Sequence, residues 1–179
     1  EISCSLVGSE MCIRDRLMNA HALNSTQNIV CSGIQDALEQ EKLQGSEIQM
    51  SLITVDDTNT FSVEESIRDI FMDQTLPDII ICLNELSTTC VYQAVVDYNC
   101  VGEIAILGYY DTDTILKAIE RNVITATISI DTEQMGAFCV DALQEYYNYG
   151  YTSQYFTADV TVIDQSNVEE YLGKQEEAE

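Results

Sequence analysis

Asp111 and Asp113 stand two residues apart, the spacing of half a metal site. No third ligand lies near them, and carboxylates at the start of a helix-forming run more simply meet the free N–H groups of a helix N-terminus. Asp97–Gly102 has the outline of a calcium loop. It fails at Val101, and Gly108 stands where the closing glutamate belongs. His21 is the single histidine, so histidine acid–base chemistry and zinc binding have no second member. The sequence contains no G-x-S-x-G elbow, no P-loop, no G-x-G-x-x-G and no H-E-x-x-H. These absences lead to the expectation of a non-enzymatic protein without metal or cofactor. The seven cysteines include no C-x-x-C pair and read as free, buried thiols. Such unpaired thiols suit reducing or anaerobic surroundings. The aromatic run Tyr146, Tyr147, Tyr149, Tyr151, Tyr155 and Phe156 reads as a packing or interdomain surface rather than a stacking platform.

The elements that position these residues alternate along the chain. LMNA (17–20) reads as the end of a strand. Asn24 or Ser25 caps a helix running to about Lys42, with Ile29, Val30, Ile34, Ala37 and Leu38 at helical spacing. A strand over 47–55 follows. Ser62 and Glu65 form a capping box for the next helix, which Pro77 closes off. DIIICL (78–83) is a continuous apolar run, expected of a strand covered on both faces. Two more cycles follow: helix 87–99 and strand 104–109, then helix 112–122 and strand 124–130. Asp131 caps a long helix to about Tyr149, with Met135, Phe138, Cys139, Ala142 and Leu143 as its apolar stripe. A strand over 155–163, a short helix over 165–172 and a solvated acidic tail over 173–179 end the chain.

Strands separated by helices of this length mean βαβ units, hence an α/β fold with a mostly parallel, doubly wound sheet and helices on both faces. Ligands of such sheets sit outside the carboxyl ends of the strands. The residues to read are therefore 20–24, ending in Asn24, then 56–60, 84–86, 110–113 and 130–132.

The formal charge of −24 over 179 residues repels phosphate backbones, which excludes nucleic acid as a partner. A hydrophobic content of 46% with one proline indicates a folded domain. No apolar run reaches the length of roughly 18 residues needed to cross a bilayer.

Residues 6–16, LVGSEMCIRDR, resemble a translation of the transposon-end adapter of short-read sequencing libraries. They match it codon by codon from Leu6 to Asp15, and Arg16 fits the next partial codon. Residues 1–16 are accordingly set aside as non-native, and the natural protein is expected to begin further upstream. The absence of a secretory signal then carries no weight.

PDIIICLNELSTTCVYQAV (77–95) and IAILGYYDTDTILKAIERNVITATISIDTEQMG (104–136) resemble the sugar-type periplasmic binding proteins of the type 1 superfamily. The related effector domains of sugar-responsive repressors share the pattern: a strand ending Asn-Asp, the next ending Gly-Phe-Asp, then Ala-Thr-Val-x-Gln-Asp-Pro-x-x-Met-Gly. Asn84 and Glu85 stand for Asn-Asp. Gly108 and Tyr109 stand for Gly-Phe, with Tyr110 at the aspartate position and Asp111 one step later. Ala126, Thr127, Asp131, Met135 and Gly136 match, while Ile130 replaces the glutamine and Val30 an arginine often seen in the first helix.

The resemblance implies one lobe of a two-lobe solute-binding protein, with 17–130 as the second lobe and 131–154 as a helix and crossover packing on a missing first lobe. Residues 155–172 would be the returning strand and short helix. It implies a small, sugar-like ligand and a membrane permease or sensor subunit as partners, in an extracytoplasmic setting. Asn24, Asn84, Glu85, Tyr110, Asp111, Ile130 and Asp131 are the ligand-binding candidates. Because hydrogen-bonding handles have become Tyr110, Ile130 and Val30, the implied ligand is less polar or differently shaped than a typical monosaccharide, or the partner is a protein. The alternative is the effector domain of a transcriptional regulator, which the strong acidity disfavours.

Overall fold

The computed structural model describes residues 13–19, 25–43, 48–55, 59–72 and 76–176. The elements alternate in the expected order. They are β1 (Ile13–Asn19), α1 (Ser25–Leu43), β2 (Ile48–Thr54), α2 (Thr60–Met72), β3 (Ile79–Cys82) and α3 (Glu85–Asp97). Then come β4 (Ala105–Tyr109), α4 (Asp113–Glu120), β5 (Ala126–Ile130), α5 (Thr132–Tyr149), β6 (Val160–Asp164) and α6 (Val168–Glu176). They build one sheet in the order β2-β1-β3-β4-β5-β6, parallel throughout except for β6, which runs antiparallel to β5.

The order reverses between β1 and β3, which makes their carboxyl ends the switch point where α/β sheets open a crevice. Strand β1 extends further back than LMNA (17–20). Its ladder pairs Asp15 and Arg16 with Ile79 and Ile80 on one side and with Met50 and Ser51 on the other. The ladder bonds that hold it there use main-chain groups alone.

The main core lies on one face of the sheet, where Ile80, Cys82, Ile106 and Ile163 meet Val63, Ile67, Val91, Val95, Ile115, Leu116 and Ile119 from α2, α3 and α4. Each such side chain, fully removed from water, contributes about 1.5–3 kcal/mol. The other face holds a smaller cluster, Cys31 and Leu83 with Val30, Ile34, Met50 and Ile81 packed on it. Thus β3 does not read as evenly buried: Ile80 and Cys82 are fully covered, Ile79 and Ile81 only partly. The expected double cover is complete on one side alone.

Local starts and stops are set by specific side chains. Helix α2 is capped by Asn59, whose Oδ1 accepts from the N–H and Oγ of Ser62 at 3.0 and 3.3 Å. Ser62, expected to be the cap, lies inside the first turn. An asparagine oxygen reaches the third N–H as well as a hydroxyl does. Helix α5 begins at Asp131 as expected, and Gly150, in the left-handed region at φ 78°, ends it. Strand β6 starts later than expected, at Val160, and α6 runs through the start of the supposed tail to Glu176. No residue of α5 is fully buried: in its apolar stripe Met135, Cys139 and Leu143 are exposed, Phe138 and Ala142 are half-buried, and Phe138 stacks on Phe156 with ring centroids 5.2 Å apart.

Among the described cysteines, 31, 82, 90 and 100 are buried and Cys139 is exposed. Burial pushes the Cys82 thiol up to about 12 from its ordinary 9.0, despite a hydrogen bond with Thr88. Burial raises Cys31, Cys90 and Cys100 in the same direction. Between those two values the unfolded chain releases protons that the folded chain retains, so stability falls as pH rises through that window. Denaturant unfolding is expected to give a lower midpoint at about pH 10 than at about pH 8. Among the described thiols, iodoacetamide modifies Cys139 first in the native state.

Candidate functional site

The carboxyl ends of β3, β4 and β5 lie side by side and present Asn84–Glu85, Tyr110–Asp111 and Ile130–Asp131 together. Asn24 lies outside the described residues.

Their arrangement is fixed by buried hydroxyls. Asn84 turns extended after β3, at φ −154° and ψ 165°, and its Oδ1 accepts from the Ser87 N–H at 2.7 Å, capping α3. One turn on, the Thr88 hydroxyl donates to the Asn84 carbonyl at 2.7 Å and accepts from the Tyr109 N–H at 3.1 Å. That single side chain ties the β3–α3 turn to the end of β4. On the other side of β4, the Thr127 hydroxyl donates to the Tyr110 carbonyl at 2.6 Å, and the Tyr110 N–H donates to the Ile128 carbonyl at 2.8 Å. Ser129 Oγ donates to Asp111 Oδ2 at 2.8 Å, which pins the next residue as well.

Thr88 and Thr127 are fully buried and flank Gly108. A Cβ on Gly108 would lie 2.7 Å from Thr88 Cγ2 and 3.1 Å from Thr127 Oγ1. Glycine is required there by close approach, which lets both hydroxyls reach the main chain of β4.

Asp131 accepts from the Gln134 N–H at 2.8 Å, and its own N–H donates to the Asp159 carbonyl at 3.0 Å. Gln134 in turn clasps Asp159, accepting from its N–H at 2.7 Å and donating to its Oδ2 at 3.2 Å. The helix end after β5 is thereby fastened to the start of β6.

Asp111 does not cap α4. Thr112 occupies that position without a side-chain cap bond, and Asp113 sits in the first turn, 2.7 Å from Lys117 Nζ. Asp111 instead serves Ser129, because the chain turns at Tyr110 and carries it toward β5. Glu85 is exposed at the start of α3, and Ile130 is half-buried, paired with Val160 of β6. The structure thus brings six of the seven candidates to one edge. Sequence reasoning missed Thr88, Ser129, Gln134 and Asp159. Polar side chains at alternate positions of an otherwise apolar strand, Thr127 and Ser129 in ATISI, were the available signal.

A groove of about 310 Å³ between α2 and α3, lined by Glu64, Arg68, Cys90 and Asp97 among others, contains none of these residues.

Gly108→Ala is expected to destabilise the chain by about 1–3 kcal/mol, since a buried methyl must displace one of the two threonines. Thr127→Val keeps the volume but leaves the Tyr110 carbonyl short of a donor, at a cost of about 1–3 kcal/mol. Chemical denaturation measures both.

No known protein family and no curated relative matches the sequence. Solved structures do. GanP, a glucose-galactose binding protein from Geobacillus stearothermophilus, is 16% identical with a TM-score of 0.77, over 87% of this chain and 54% of that one. An ABC transporter solute binding protein from Agrobacterium vitis with bound D-fucose is 15% identical with a TM-score of 0.78, over 90% and 54%. The XylFII-LytSN complex matches at 20% identity and a TM-score of 0.73, over 86% and 53%. The chain therefore spans about half the length of the structures it matches. Its fold is that of one lobe of a periplasmic-type sugar-binding protein.

Proposed function

We propose that this chain is the carboxyl-terminal lobe of a non-enzymatic, extracytoplasmic solute-binding protein. The protein captures a small, sugar-like molecule between two lobes and presents it to an ABC-type permease or a membrane sensor. The observation that carries this reading is the hydrogen-bonded edge at the ends of β3, β4 and β5, which starts beside the β1–β3 switch point, in a half-length match to sugar-binding proteins. Lobe closure on the ligand is the working motion. A neighbour solved in complex with LytSN supports a sensor as one partner, and neighbours described as ABC transporter proteins support a permease.

Residues 131–154 are assigned to the face that packs on the first lobe. Helix α5 leaves Met135, Val140, Leu143 and Tyr146 exposed at 49–60%, apolar side chains of the kind that mark a missing neighbour. Residues 1–16 are assigned as foreign to the natural protein. The codon-by-codon match of Leu6 to Asp15 to the adapter supports that assignment.

The site disfavours an anionic ligand. Segments 83–88, 109–113 and 129–135 contain no cation, and Glu85, Asp113 and Glu133 occupy the first turns of α3, α4 and α5. The dipole ends that would attract an anion already have carboxylates beside them. The test is calorimetric titration of the full two-lobe protein with D-glucose, D-galactose, D-allose, D-fucose and myo-inositol. One of the less polar or differently shaped members, D-fucose or myo-inositol, is expected to bind with a Kd of about 1 µM, or about −8 kcal/mol, and more tightly than D-glucose, D-galactose or D-allose. D-glucuronate is expected to bind at least about tenfold more weakly than D-glucose, a difference of about 1.4 kcal/mol. Silence across the neutral panel removes the reading.

The apolar surface gives a second check. Leu143→Glu is expected to shift the stability of this chain alone by no more than about 0.5 kcal/mol. In the two-lobe protein, where the same change buries a charge, it costs several times more.

A further inference from the structure

Three non-glycine residues have positive φ among the described residues: Asn99 at 56°, Asn122 at 60° and Tyr110 at 74°. Asparagine tolerates the left-handed region, and Asn99 and Asn122 lie just past the ends of α3 and α4, where chains commonly turn that way. Tyr110 is different. It is bulky and follows a strand, and its side chain opposes this backbone conformation. A glycine would adopt it without strain.

The surroundings over-determine the turn. The Tyr110 N–H is held by the Ile128 carbonyl and its carbonyl by the Thr127 hydroxyl. The next side chain, Asp111, is held by Ser129. The ring lies edge-on to Tyr109, with centroids 5.0 Å apart and planes at 84°, which fixes its orientation. Even so, 38% of Tyr110 stays exposed, at the edge where the candidate residues converge. Strain held by a rigid frame around an exposed aromatic is a feature of ligand sites, where pre-organisation is used on binding.

We infer that Tyr110 is the specificity-determining contact of this site: a pre-set aromatic platform whose ring face stacks on the C–H face of an uncharged, ring-shaped polyol. The inference rests on the function proposed above and narrows its ligand to molecules with one apolar face. The phenol hydroxyl has no part in it, so phenylalanine serves as well. The side chains of Asn84 and Asp131 are engaged in capping α3 and α5.

The test uses the two-lobe protein and whichever member of the neutral panel it binds most tightly. Tyr110→Gly is expected to weaken that ligand at least about tenfold, the loss of one well-formed stacking contact. Its thermal midpoint should stay level or rise, because the strain is relieved. Tyr110→Phe is expected to keep the affinity within about threefold, as the ring is retained. Tyr110→Ala loses the ring yet keeps the strain, and is expected to unfold below Tyr110→Gly. If Tyr110→Gly binds as tightly as the wild type, or if it unfolds at lower temperature, the ring is packing and the inference is overturned. Failure of the wild-type protein to bind any panel member overturns the parent reading instead, and this one with it.

Discussion

Two threonine hydroxyls on either side of a glycine hold the working edge of this lobe together. Thr88 reaches across from α3 and Thr127 from β5, and both meet the main chain of β4 at the point where it leaves the sheet. Parallel strands have no hairpin to align their ends, so alignment must come from side chains or from the helices that follow. Here it comes from side chains. The end of β4 is bonded to both of its neighbours, and Gly108 provides the room. Because the bonds are buried they are not diluted by water, and each is worth more than its surface counterpart.

The same edge shows what charge and shape divide between them. Carboxylates at the helix starts offset the dipoles and set the sign of the site, while the frame around Tyr110 sets its form. The groove between α2 and α3 lies elsewhere in the molecule.

Much of this was legible in the sequence. Alternation of apolar runs with helical spacing placed every described element, and proline, glycine and capping residues set most of the limits. The residues just after each strand were the ones to read, and Asn84, Glu85, Tyr110, Asp111, Ile130 and Asp131 lie along one edge of the sheet. What was not legible depended on contacts distant in sequence. Asp111 read as a helix cap because a cap is a local bond; its partner Ser129 is 18 residues away. Gln134 and Asp159 are 25 residues apart and carry no pattern. The left-handed turn at Tyr110 was invisible, since its residue type argues against it. The apolar stripe of α5 was read correctly as a stripe, but periodicity cannot say whether a stripe has a neighbour.

The central strand carries a further consequence. β1 lies between β2 and β3, held on both sides by main-chain ladders. It is the strand at which the order of the sheet turns, so its carboxyl end opens between those of β2 and β3. The place of the switch point is therefore set by backbone pairing in the middle of the sheet.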